Sequence, residues 1–148
     1  MKQFQNVSSV RTNGFEGELN ARLETGLRGY ASYSLQEASN DDLKMRLTNS
    51  PQQILKMGLS YPAFGIFRTT AELRYESSRI TVFGTTTEPY FVTNLNVSTR
   101  SLMDHLESSF LVRNVFDVTY RTPGGVEHRQ PGITQDGRSI ILKIEYHL

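Results

Sequence analysis

The chain contains no cysteine and no tryptophan. The first absence excludes disulfide frameworks and thiolate metal sites. The second removes the largest core-forming aromatic from a polar chain whose mean hydropathy is −0.41. Net charge is nearly absent as well: sixteen basic and fifteen acidic residues give +1. No strong field therefore draws in nucleic acid or an anionic surface, and a nucleic-acid partner is set aside. No window approaches the roughly 18 consecutive apolar residues of a membrane helix. MKQFQNVSSV lacks the apolar core and small-residue cleavage site of a secretory signal. Helical patterning is missing too. Only NDDLKMRL offers a helical spacing, Leu43 to Leu47, and it is too short to hold a helix on propensity, so it reads as a loop.

Alternation is what the sequence has in quantity. In SIILKIEYHL, residues Ile140, Leu142, Ile144, Tyr146 and Leu148 fall at every second position, against Ser139, Lys143, Glu145 and His147. That is the period of a strand, whose side chains point to opposite faces in turn. Ile141 is the apolar exception on the polar side. A terminus this regular implies that the last residue is itself paired in a sheet. The same period runs through GFEGELNARLET, LRGYASYSL, ILKMGLSY, TAELRY, YFVTNLNVST and HLESSFLVRNVF. Together these make about seven strands within 148 residues, the size of one ordinary domain.

The connections are sorted by length. Thr25-Gly26, PAFG at Pro62 to Gly65 and RSLMD are short. Ser39 to Ser50, FGTTTEP and Asp117 to Gln135 are longer, and they alternate with the short ones along the chain. Short turns at one end and long loops at the other are the habit of an up-and-down outer-membrane barrel. A soluble sandwich or lipocalin-like barrel shares the period without that sorting. Tyr61, Phe67 and Tyr146 fall near the short-turn end, and Tyr33, Phe91 and Phe116 near the long-loop end, as two interfacial girdles would require. The charged parity comprises Glu16, Glu18, Arg22, Glu24, Arg28, Lys56, Glu72, Arg74, Glu107, Arg113, Lys143 and Glu145. It is expected to face a wet interior, although any half-buried sheet also keeps charge off its dry face.

The stretch RNVFDVTYRTPGGVEHRQPGITQDGRSIILKIEYHL resembles the C-terminal end of TonB-dependent outer-membrane receptors. The matching positions are Asn114, Val115, Phe116, Asp117, Tyr120, Pro123, Gly124, Gly137 and Arg138. FQNVSSVRTNGFEGELNARL, LTNSPQQILKMGLSYP and AELRYESSR also resemble receptor barrel strands, so the likeness runs end to end. It implies an all-β fold: an antiparallel, up-and-down transmembrane β-barrel segment, about seven strands of a larger barrel of roughly 22.

On that resemblance, residues 1–148 are the C-terminal portion of the barrel. The plug domain, TonB box and signal peptide lie upstream, Met1 is an internal start, and the chain ends in the periplasm. The expected function is TonB-dependent uptake of a scarce nutrient, a ferric siderophore, across the outer membrane of a Gram-negative bacterium. The partners implied are the lipid bilayer, the rest of the barrel and plug, TonB acting through the missing N-terminal part, the siderophore, and the barrel-assembly machinery. That machinery reads the closing strand Ile140, Leu142, Ile144, Tyr146 and Leu148, where Leu148 replaces the family's usual terminal Phe or Trp.

No enzyme activity, cofactor or metal site is expected. His105, His128 and His147 have no ligand-pair spacing, no nucleophile elbow is present, and TPGGVEHRQPG lacks the strand, helix and Lys of a phosphate loop. Ligand contacts are expected from basic and polar loop residues, namely Arg46, Arg121, Glu127, His128 and Arg129, which would suit an anionic iron chelate. Two rivals remain at this level: a small soluble β-barrel binding an apolar ligand, and a small outer-membrane adhesin or enzyme barrel. An isolated sheet of this kind would expose two edges and a large apolar face, so aggregation is expected when it is expressed alone.

Overall fold

The computed structural model describes residues 9–99 and 105–147, and among these there is no helix. Seven long strands form one antiparallel sheet: β1 (Val10–Arg22), β2 (Arg28–Asn40), β4 (Gln53–Ala63), β5 (Phe67–Glu76), β6 (Tyr90–Thr99), β7 (Leu106–Arg113) and β10 (Ser139–Tyr146). A two-residue strand, β3 (Met45–Arg46), pairs with the end of β2, and β8 (Arg121–Pro123) and β9 (Gly132–Thr134) form a separate small hairpin. Each long strand lies beside the next long strand in sequence, an up-and-down meander in the order β1-β2-β4-β5-β6-β7-β10. The outermost strands, β1 and β10, do not pair with each other. The core strands β4, β5 and β6 have 11, 10 and 10 residues, matching the 9–11 that a tilted strand needs to cross hydrocarbon.

Register fixes the faces. The pairs Leu19↔Ala31, Ala31↔Met57, Met57↔Leu73 and Leu73↔Thr93 run across the sheet on one side, and Leu95↔Val112 and Val112↔Ile140 continue it to the last strand. This face carries no Asp, Glu, Lys or Arg from Phe15 to Ala21, Leu55 to Ala63, Phe67 to Tyr75, Phe91 to Thr99 or Ile140 to Tyr146. Polar residues resume beyond it at the long-loop end, where Asn13 opposes Glu37 and Leu35 opposes Gln53. Every charged strand residue expected to face a wet interior lies on the opposite side, with Arg68 and Glu76 joining the set.

The apolar band is exposed. Leu142, Ile144 and Tyr146 retain 66%, 63% and 65% of their accessible surface, and Tyr90 is the one buried hydrophobic side chain among the described residues. A soluble barrel would bury this band, so the soluble rival lacks its dry core. The order and turns otherwise follow the alternation, with three differences. Ser39 and Asn40 belong to β2, so the long β2–β4 connection begins at Asp41 and contains β3. The connection before the last strand carries the β8–β9 hairpin. Tyr75 joins Tyr33 and Phe91 in one cross-strand row through Leu55, with the Tyr75 and Phe91 rings 4.5 Å apart. The turn RSLMD and the final Leu148 lie outside the described residues.

On the charged face, Gly58 sits directly opposite Tyr30, whose ring lies where a Cβ would stand. The absent side chain gives the tyrosine ring its place across the strand.

Candidate functional site

The long connections gather at one end of the sheet, and a charged cluster ties two of them to the strands. Glu76, the last residue of β5, is fully buried and pairs with both Arg74 and Arg79. Arg79 also donates from Nη1 to Asn49 Oδ1 at 3.2 Å, and Asn49 N donates to Ile80 O at 2.7 Å. The β2–β4 and β5–β6 connections are thus joined through one guanidinium. Burial pulls the Arg79 guanidinium below its ordinary value; Tyr90 opposes this and the like charge of Arg74 adds to it. Within the β5–β6 connection, Thr81 and Thr85 share a hydroxyl bond of 2.9 Å, and Thr87 N donates to Arg79 O at 2.9 Å.

Asn114 and Asp117 organise the other loop. Both hold positive φ, 49° and 54°, a conformation that Asn and Asp tolerate better than most residues. The nearly buried Asn114 accepts from Val118 N at 2.9 Å and donates to Val118 O at 2.9 Å, while its backbone N donates to Asn94 Oδ1 at 3.0 Å. Asp117 Oδ1 accepts from Arg138 N at 2.7 Å, and a Cβ on Gly137 would lie 2.7 Å from that oxygen. The Asn114, Asp117, Gly137 and Arg138 positions therefore clip the loop that leaves β7 to the start of β10. Replacing Asn114 by Ala leaves the part-buried Val118 N–H and C=O without their side-chain partner, which costs about 1–3 kcal/mol. Faster proteolytic nicking within residues 115–137 is the expected readout.

Between these anchors lies a cleft on the charged side. Its inner part, about 250 Å³, is lined by Arg74, Tyr90, Asn94, Arg113, Tyr120 and Gln135, among others. Its outer part, about 710 Å³, is lined by Thr81, Thr85, Thr86, Thr87, Glu88, Tyr120, Arg121 and Gln130, among others. Tyr120 belongs to both, and its ring lies 4.3 Å from that of Tyr90. Three guanidinium groups, a tyrosine pair and a run of hydroxyls suit a ligand that is anionic, partly flat and rich in hydrogen-bonding groups. No general acid–base pair or nucleophile with its base is assembled there.

Of the residues singled out from sequence, Arg121 lines the outer cleft from β8. Glu127, His128 and Arg129 stand exposed between β8 and β9, with Glu127 Oε1 3.3 Å from His128 Nδ1. Arg46 sits on β3 opposite Ser39, on a different connection. Arg74 and Arg113 were legible as charged-face residues but not as cleft residues. Glu76 carried a usable signal: in YESSR, it extends the charged parity of β5 to its last position.

The model of the TonB-dependent receptor-like β-barrel matches residues 2–115. The chain belongs to that family. Members of the TonB-dependent receptor family are receptors and transporters of the Gram-negative outer membrane, not enzymes. The chain superposes on the Pseudomonas aeruginosa receptor FpvA bound to heterologous pyoverdines with a TM-score of 0.77 at 22% identity, covering 93% of this chain and 19% of that one. The ferric-catecholate import receptor Fiu of E. coli K12 gives 0.79 at 20%, covering 94% and 21%. The copper transporter OprC gives 0.76 at 18%, covering 93% and 24%. This TonB-dependent receptor segment therefore spans about a fifth to a quarter of these three structures. None of the curated proteins matches it. In the frame of a receptor barrel, the exposed band of the open sheet is the outer wall and the cleft opens on the lumenal side.

Proposed function

We propose that this chain forms the C-terminal barrel wall of a receptor in the outer membrane of a Gram-negative bacterium. The receptor takes up a ferric siderophore, driven by TonB through a plug domain encoded upstream. The observation that carries this reading is the register itself: across the middle of the seven strands one face is a charge-free, exposed band, with Arg11 and Glu37 only beyond it at the long-loop end, while the other face carries the charges and the cleft. Support for the ligand class comes from Arg74, Arg113, Tyr90 and Tyr120 in the cleft, and from neighbours described as pyoverdine and ferric-catecholate receptors. Arg121, Glu127, His128 and Arg129 serve as outer contacts, and Arg46 contacts from its own connection. No residue of the segment is catalytic; its work is wall, loops and closure. Ile140, Leu142, Ile144 and Tyr146 form the closing strand read by the assembly machinery.

The test is binding and uptake of radiolabelled ferric siderophore by cells producing the receptor that contains this chain. Reversing one cleft charge with Arg113→Glu should weaken binding at least about tenfold, since losing a charge-assisted contact is worth about 1.5–3 kcal/mol. Surface levels of the receptor should be unchanged. Unaltered binding in both Arg113→Glu and Arg74→Glu would remove the cleft from the ligand path, and uptake independent of TonB would remove the transporter reading.

A further inference from the structure

We propose that Glu107, Glu145 and His147 form a site for one divalent transition-metal cation, at the short-turn end of the charged face. Histidine spacing along the sequence gives no ligand pair, because this set is assembled across two strands. Glu107 on β7 stands directly opposite Glu145 on β10. His147 lies two residues further along the same parity, and its backbone N donates to His105 O at 2.9 Å, which holds it in the register of the last strand. One ligand atom from each of the three side chains lies within 4.8 Å of the other two, and all three are open to solvent. Ligands bound to one cation at about 2.0–2.2 Å stand about 3–4 Å apart, so small side-chain rotations close the set.

Charge and chemistry point the same way. Two carboxylates placed opposite each other on neighbouring strands repel. Lys143 Nζ, 2.6 Å from Glu145 Oε1, neutralises one of them. A dication satisfies both. It binds Glu145 through its second oxygen or displaces the ammonium, whose side chain is 62% exposed and free to swing to water. One imidazole with two carboxylates suits Zn²⁺, Cu²⁺ or Ni²⁺ better than the all-oxygen preference of Ca²⁺ or Mg²⁺. His105 is not in the set; its ring lies beside that of Tyr146, 6.1 Å away. A cation held by Glu107 on one side and by Glu145 and His147 on the other ties the last strand to its neighbour, where a terminus otherwise frays.

The experiment uses the tag-free receptor containing this chain, purified in detergent, stripped with chelator and titrated with Zn²⁺ alone. One equivalent should bind and be weakened at least about tenfold by His147→Ala and by Glu107→Gln, whereas Lys143→Gln should leave binding intact or tighten it. Amide exchange over residues 142–147 should slow on adding Zn²⁺ to the unsubstituted protein and not to His147→Ala. Zn²⁺ binding unaltered by both ligand substitutions, or no bound equivalent at all, would overturn the site. Siderophore uptake is a separate measurement, so the two readings fail separately.

Discussion

Replacing Met57 by arginine is expected to destabilise the folded barrel by about 2–4 kcal/mol, because a charge at mid-height on a lipid face has no water and no partner. Met57 sits in the middle of the uncharged band, between Ala31 and Leu73 in the cross-strand row. The control is Asn96→Arg. Asn96 stands opposite Thr70 on the charged side, where an arginine reaches water, and a change within about 0.5 kcal/mol is expected. Urea unfolding of the receptor in lipid vesicles measures both. Equal losses would mean that the two faces share one solvent.

The second large effect is expected from Glu76→Ala. Removing this carboxylate leaves the Arg79 guanidinium, itself only 16% exposed, without the charge that compensates its burial. Breaking a buried ion pair from one side costs about 3–5 kcal/mol. The lower end applies here, about 3 kcal/mol, because Arg74 is half-exposed and recovers hydration. The damage is local. Arg79 also holds Asn49, so the β2–β4 and β5–β6 connections should loosen together, visible as faster amide exchange over residues 41–50 and 77–88. Arg79→Ala should cost less in the double substitution than alone, since the two groups act as one unit.

The strand faces were legible because register and parity are the same information: once Ile140, Leu142, Ile144 and Tyr146 define one face, pairing carries that parity to every neighbour. The family was legible in Asn114, Asp117, Gly137 and Arg138. Their physical role was not, because the bond from Arg138 to Asp117 spans residues that no local pattern connects. Burial of Glu76 was hidden for a related reason. It follows from the fold of the β5–β6 connection against the β2–β4 connection, and loop conformation obeys long-range contacts rather than periodicity. The ligand residues show the same limit. Charge in a loop is visible in a sequence, but the meeting of Arg74, Arg113, Tyr90 and Tyr120 depends on strands β5, β6 and β7 and the loop beyond them. The metal set is hidden for that reason too, since Glu107 and His147 are forty positions apart in the chain.

This chain contains no cysteine, so a single cysteine introduced into it is the one thiol within these 148 residues. Single cysteines placed at 140 through 146 in turn, each carrying a nitroxide label, report whether a site meets lipid-soluble oxygen or a water-soluble nickel complex. In the receptor reconstituted in lipid, labels at Ile140, Leu142, Ile144 and Tyr146 should favour oxygen, and those at Ile141, Lys143 and Glu145 should favour the nickel complex, a strict period of two. If the even positions were shielded from both reagents, packed inside the protein, the outward-facing wall would be contradicted.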